Sequence, residues 1–416
     1  MLLERPAEPP PGPIEILRGL SLTHATNAVI GFTFAASGPM AIILAAGAKG
    51  RLSEAEITSW IFGALFANGI LSLLFSIVYR MPLVFFWTIP GAVLVGPALA
   101  NASYAEVIGA FLVAGALMLV LGLLGLVRRV MAALPLPVVM GMVAGVFLPF
   151  GIDWLRAIKS ELMIAGPMTL AFVAASSLSG RFARLPPLIA ALAVGLATLY
   201  GLHGLPAADS ELTHIKLVTP LLHVPAFSLT VLFELVVPLV ITVLVVQNGQ
   251  GVAILTAQGH QPPVNAIATG CGLWSMLIAP LGTVSTCLTG PVNAILSGSG
   301  RAATQYTAGI MVGLLAIGFG LIAPTFTKAM LAAPPAFIAT LAGLAMLRVL
   351  QAAFVAAFAR RFTLSALTAF LVSVAAIPVF NVGAPFWGLV AGFIVARTIE
   401  RDDFDRSASP SGQPRP

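Results

Sequence analysis

Met81 to Ala100 reads MPLVFFWTIPGAVLVGPALA, and Ala279 to Gly298 reads APLGTVSTCLTGPVNAILSG. Both stretches are apolar enough for a lipid bilayer, yet each carries proline, glycine and hydroxyl residues at its centre. A membrane helix broken there leaves backbone N–H and C=O groups that hydrocarbon cannot satisfy. Such backbone has to be buried in protein or line a cavity. Interrupted segments at corresponding places in two halves of a chain point to the binding site of a secondary transporter. The fold therefore turns on whether the flanking sequence forms two such halves.

The composition supports a membrane setting. Of 416 residues 59% are hydrophobic and 9% charged, against about 25% charged in soluble domains, and mean hydropathy is +1.01. Apolar runs of spanning length recur along the chain, which reads as an all-α polytopic membrane protein. The net charge of +6 is carried by basic residues that stand singly or in pairs between apolar runs. That pattern signals topology and gives no nucleic-acid-binding face. Cys271 and Cys287 fall inside apolar runs with neither CxxC spacing nor histidine partners, so they read as small buried residues, and no metal or cofactor is expected. There is no GxxxxGK[ST] loop, and no paired Asp, Ser with His, or HExxH lies within the spans, which argues against an ATP-driven pump and against an enzyme.

Division at charges, prolines and polar clusters gives fourteen segments. The first seven run roughly 14–47, 55–79, 82–101, 104–127, 134–152, 162–180 and 186–203. After a polar linker over 204–227 come 228–257, 263–279, 281–299, 303–324, 333–357, 363–380 and 384–399. Residues 1–13 and 400–416 read as disordered tails, with no signal peptide visible. Sliding one half over the other aligns Gly38 with Gly249 at an offset of 211. Further along the offset becomes 199, which matches Gly91 with Gly290, Met131 with Met330, Pro135 with Pro334 and Pro186 with Pro385. Seven is odd, so the second half enters the membrane from the opposite side, and the repeat is inverted. With a cytoplasmic N-terminus, fourteen basic residues fall inside and six outside, leaving Arg348 within a span. The positive-inside rule then places both termini in the cytoplasm, in a bacterial inner membrane. His214 and His223 in the outer linker read as solvated loop residues.

Ionisable groups in a span cost about 2.5–3.5 kcal/mol at mid-membrane, so each that survives there is a candidate for function. Glu234, one to two turns into the eighth segment, and Arg348, deep in the twelfth, are candidates for coupling. Glu234 can also be an interfacial carboxylate, and Arg348 can extend its head toward the interface. Neutral polar residues are more numerous: Gln247, Asn248 and Gln250 at the break of the eighth segment, Thr283, Ser285, Thr286 and Thr289 in the tenth, and Trp87 and Thr88 before Pro90-Gly91 in the third. Carboxamides and hydroxyls beside helix N-termini can hold an anionic group without a lysine. Phe85, Phe86 and Trp87 add apolar ring faces, so the expected substrate is a small, partly apolar anion such as an aromatic carboxylate. Ser and Thr in membrane helices also bond their own backbone or a neighbouring helix, so each hydroxyl alone has a structural reading as well.

WTIPGA (87–92) following YRMP (79–82), QNGQGVAILTAQGHQPPVNAI (247–267), GFT (31–33) and APLG (279–282) together resemble the benzoate:proton symporter (BenE) family. The resemblance implies the fold of uracil permeases and sulfate transporters: seven plus seven inverted spans, with segments 3 and 10 each a short strand leading into a half helix. It implies a core of 14–127 with 228–324 and a gate of 134–203 with 333–399. It places substrate between Thr88, Ile89, Pro90 and Gly91 on one side and Thr286, Cys287, Leu288 and Thr289 on the other, with Gln247 and Gln250 beside them. It further implies uptake of benzoate or a related carboxylate with protons by alternating access, and a homodimer through the gate. The chain departs from the family pattern at Val284 and Cys287, where family members tend to carry histidine and asparagine. Gln247 stands where uracil permeases have a coupling glutamate. A nucleobase or inorganic anion on the same fold, or an uncoupled anion conductor, are the rival readings.

Overall fold

A computed structural model describes residues 3–133, 135–177, 187–203, 216–298, 300–359, 361–377, 379 and 384–403. After a short helix α1 (Pro13–Gly19), the first half runs through α2 (Leu22–Ala36), α3 (Gly38–Lys49), α4 (Glu54–Phe62) and α5 (Asn68–Tyr79). Strand β1 (Phe85–Trp87), half helix α6 (Ile89–Ala98) and α7 (Tyr104–Leu123) follow. A linking helix, α8 (Val127–Ala133), leads to α9 (Leu136–Ser160), α10 (Leu162–Ser177) and α11 (Pro187–His203). The second half keeps this order with α12 (Leu229–Ile241), α13 (Gly249–Ala257), α14 (Val264–Ile278), β2 (Thr286–Leu288), α15 (Gly290–Ser297) and α16 (Tyr306–Leu321). Linking helix α17 (Ala323–Leu331) then leads to α18 (Pro335–Ala357), α19 (Thr363–Ala375) and α20 (Ala384–Thr398). Among the described residues, eight helical stretches are long and apolar enough to cross a bilayer.

Local chemistry fixes several of these boundaries. Ser53 with Glu56, and Ser103 with Glu106, form reciprocal capping boxes at the starts of α4 and α7. This accounts for acidic residues at the ends of apolar runs, where the carboxylate satisfies an otherwise unpaired backbone N–H. Two π-helical turns, Gly63–Ala67 and Thr242–Asn248, interrupt the second and eighth segments. The latter turn carries Gln247 and Asn248 at its end, and such turns recur at functional sites.

The repeat is visible in the helix starts. Gly38 and Gly249 open α3 and α13, and Pro135 and Pro334 stand at the N-caps of α9 and α18, as the offsets of 211 and 199 require. At the broken segments the register differs from the expected 199. There Thr88 and Thr289 occupy the N-caps and Pro90 and Pro291 the second helical positions, so the equivalent residues are 201 apart. Proline is favoured in the first turn of a helix, where its missing N–H would have no partner. The helix start therefore sets the correspondence, and the Gly91–Gly290 match is displaced by two residues. Pro186 lies outside the described residues.

The most extensive helix pairings are α9 with α18, α7 with α14, and α19 with α20 and α9. Small residues permit them: a Cβ on Gly272 of α14 would stand 2.3 Å from the backbone N of Leu119 in α7, the close approach that helices in lipid use for packing. Residues 3–12, expected as a disordered tail, carry no helix but have defined partners. The Glu4 carboxylate accepts from the N–H groups of Asn265 and Ala266 at 3.1 and 3.0 Å, and Arg80 donates to the Pro9 carbonyl at 2.8 Å.

Candidate functional site

Strands β1 and β2 pair antiparallel with Phe86 opposite Cys287, and the ladder continues through Thr88 N to Ser285 O at 2.9 Å and Thr289 N to Val84 O at 3.0 Å. Two three-residue strands have outer edges that lipid could not satisfy. Side chains from flanking helices supply the partners. Ser72 Oγ accepts from Phe85 N at 2.8 Å, and Ser275 Oγ accepts from Thr286 N at 2.9 Å. Asn248 Oδ1 accepts from Leu288 N at 2.7 Å. Asn293 Oδ1 accepts from Val84 N at 3.0 Å, while its Nδ2 donates to Val84 O at 3.1 Å and Thr289 O at 2.8 Å. The strand pair is thereby fixed inside the helices as a rigid platform.

Each strand delivers the N-terminus of a half helix, α6 and α15, to the side of one cavity of about 730 Å³. Ile89 and Pro90 from α6 and Pro291 from α15 line it, and helix N-termini carry partial positive charge. Gln247 and Gln250 line the same cavity from the break between α12 and α13. Gln250 lies directly over the start of α15: a Cβ on Gly290 would come within 2.5 Å of its Oε1. From the opposite wall α18 contributes Arg348, the one charged side chain among the described lining residues. Most of the remaining wall is apolar and includes Phe34, Phe147 and Phe172. The volume lies within the range of small-molecule sites, and an apolar wall with a few convergent polar groups is their usual make-up.

Of the residues singled out in the sequence, the structure brings Ile89, Pro90, Gln247, Gln250 and Arg348 together around this cavity. The other seven candidates for substrate contact stand behind it. Trp87 and Thr286 face each other across the strand pair, and Cys287 and Leu288 are buried within it. Thr286 Oγ1 donates to Asn68 Oδ1 at 2.7 Å. Thr88 is spent as the N-cap of α6, accepting from Gly91 N at 3.2 Å, and Thr289 holds the equivalent position before α15. Gly91 is a packing residue, since a Cβ there would stand 2.7 Å from Leu239 Cδ2. Glu234 lies elsewhere, in a second cavity.

A family model described as "Benzoate membrane transport protein" matches residues 19–398. The chain belongs to this family. The benzoate transport family relatives include the inner membrane protein YdcO of Escherichia coli (strain K12), 29% identical over 357 residues, covering 85% of this chain and 89% of the relative. The benzoate membrane transport protein of Acinetobacter baylyi (strain ATCC 33305 / BD413 / ADP1) is 25% identical over 362 residues, covering 86% of this chain and 90% of the relative. Among solved structures, the transmembrane domain of the cyanobacterial bicarbonate transporter BicA superposes with a TM-score of 0.60 at 14% identity, covering 92% of this chain and 99% of that one. Murine Slc26a9 in its inward-facing state gives a TM-score of 0.62 at 13% identity, covering 92% and 70%. These structures share the seven-plus-seven inverted-repeat fold with the benzoate transport family chain.

The chain is a multi-pass membrane transport protein and not an enzyme. Asn68, Ser72, Ser275 and Asn293, which hold the strands, and Phe34, Phe147 and Phe172, which shape the wall, are not among the candidates drawn from the sequence. The first four carry a signal, a polar side chain inside an apolar run. The phenylalanines carry none, because an apolar residue facing a cavity and one facing lipid look alike in sequence.

Proposed function

We propose that the protein is a secondary active transporter for benzoate or a closely related aromatic carboxylate, working by proton symport and alternating access. The observation that carries the reading is the cavity between the two half-helix N-termini, in which Gln247, Gln250 and Arg348 are set in an apolar, phenylalanine-containing wall. A carboxylate at the helix starts gains from the partial charge there and from carboxamide donors, and Arg348 supplies a full positive charge. The ring then rests on the apolar wall, so a molecule with one charged end and one apolar end matches the site. An inorganic anion would leave that wall without a partner. The benzoate transport protein of Acinetobacter baylyi supports the same substrate class by similarity. The pairing of α9 with α18 and of α7 with α14 supports a gate that stands against a core, and the excess of basic residues on one side supports cytoplasmic termini.

The test is uptake of radiolabelled benzoate into proteoliposomes containing the purified protein, with and without an inwardly directed proton gradient. Accumulation above empty liposomes that rises with the gradient is expected. No uptake above empty liposomes would remove benzoate, and uptake indifferent to the gradient would remove symport.

A further inference from the structure

A second cavity, of about 500 Å³, follows the first along α6 and α9. The first takes Ile89 and Pro90 from the start of α6 and Leu136 and Met140 from the start of α9. The second takes Pro97 and Asp153 from farther along the same helices. Between them Gly91 packs on Leu239, whose side chain is fully buried. The two cavities therefore approach one apolar barrier from opposite ends of α6 and α9.

Among the described residues, three charged ones line the second cavity: Lys49 at the end of α3, Asp153 on α9 and Glu234 on α12. Lys49 is exposed, and Asp153 is half exposed and paired with Arg156 at 3.0 Å, so both belong to the wet rim. Glu234 is different. Its residue is 8% exposed, it lines the cavity, and it has no hydrogen-bond or ion-pair partner among the described residues. Among the described residues, the elements packed most closely on α12 offer no counter-charge beside it. Helix α6 has no titratable residue, and α7 has only Tyr104, which donates to Gly282 O, and Glu106, which caps Ser103. On α20 the one charged residue is Arg397 in its last turn.

Resting on the symport reading above, we propose that this second cavity is the proton-loading vestibule of the transporter, and that the Glu234 carboxylate is the group that takes the proton. Hydronium in the vestibule gives a proton to a carboxylate oxygen, leaving water and a neutral carboxylic acid. The reverse transfer to water on the other side completes the passage. A buried carboxylate without a partner is costly, and binding a proton removes that cost. Closure of the vestibule over Glu234 is therefore open to the protonated form and opposed for the ionised one, which ties the conformational step to a proton. Glu234 is in a different place from the substrate cavity, so proton and carboxylate need not compete for one spot.

The test uses the full-length protein in proteoliposomes with labelled benzoate and two readouts, gradient-driven accumulation and benzoate/benzoate exchange at equal pH on both sides. In the wild type, exchange is expected to slow as pH rises through the titration of the vestibule acid. In Glu234→Gln, and in Glu234→Met should the first variant not reconstitute, exchange should persist without that pH limb, and a gradient should no longer drive accumulation. Asp153→Asn should keep the limb. A limb unchanged in both Glu234 variants, or accumulation that still follows the gradient in them, would overturn the assignment while leaving symport intact. Wild-type accumulation indifferent to the gradient would instead remove symport. The exchange limb would then still decide whether Glu234 gates closure by protonation.

Discussion

Gln250 and Gly290 make the most direct test at the scale of single residues, because the absence of a side chain at position 290 is what lets the Gln250 carboxamide lie over the start of α15. A methyl group there would fall 2.5 Å from Gln250 Oε1, so Gly290→Ala is expected to push the carboxamide off the site. A hydrogen bond to a charged group is worth about 1.5–3 kcal/mol, so affinity for benzoate should fall about tenfold or more, as it should in Gln250→Ala. In the Gln250→Ala background the further change Gly290→Ala should cost little, and isothermal titration of the four proteins would show it. Additive losses would mean that the two residues act separately. Asn293→Ala makes a contrasting prediction. It leaves Val84 N without its acceptor, at about 1–3 kcal/mol for a buried orphaned group, so it should lower the melting temperature as well as transport. The sequence singled out Gln247 and Gln250, which line the cavity, because carboxamides stand out in an apolar run, although Asn248 between them holds Leu288 N instead. It could not separate Thr88 and Thr286 from them. A hydroxyl that caps a helix and one that faces a substrate are the same residue type, and a strand of three residues is too short for its alternation to show which face is inward.

At the scale of elements, the strap formed by residues 3–19 ties together pieces far apart in the chain. Glu4 accepts from two N–H groups in the first turn of α14, a placement its negative charge favours, and Tyr79 Oη donates to the Glu4 carbonyl at 3.1 Å. Arg80 follows α5 in the left-handed region at φ +50 and gathers Glu15, Glu8 and the Pro9 carbonyl. Its guanidinium, chiefly through the hydrogen bond to Glu15, holds that carboxyl below the usual carboxylate range. A carboxyl depressed in the folded state stabilises above its unfolded pKa, and the contribution is lost as pH falls through the folded value. Hydrogen exchange in α1, corrected for intrinsic rate, should therefore be slower at neutral pH than in acid, and Glu15→Gln should lose that difference. Exchange equally fast at neutral pH in the wild type would count against an ordered strap. No local pattern announces such a contact, since Glu4 and Asn265 are 261 positions apart. The same limit explains the repeat register. Prolines at Pro135 and Pro334 give the offset that relates α9 to α18, whereas at the broken segments the glycines mislead and the helix starts at Ile89 and Gly290 decide.

For the whole molecule, two cavities that meet one barrier from opposite ends of α6 and α9 fit the proposed alternating access. The apolar segments and their inversion were legible because a bilayer imposes length and polarity on every span. Which cavity is open was not, because an opening is a relation between helix groups and leaves no mark on either sequence. Cysteine labelling can report it. The native Cys271 and Cys287 are 0% and 1% exposed, so the wild type provides a background without accessible thiols. Ala352 lines the first cavity and Asn101 the second, and both are exposed. Single variants Ala352→Cys and Asn101→Cys, labelled in inside-out and right-side-out vesicles, should react from opposite sides. With cytoplasmic termini, the Asn101→Cys thiol should react from outside. Saturating benzoate, by changing the balance between the two states, should raise the labelling rate at one position and lower it at the other. Rates that rise or fall together would show a general loosening instead of an exchange of access. Rates that ignore benzoate would mean that the solute has no differential affinity for the two states, a condition under which no ligand can drive a transition.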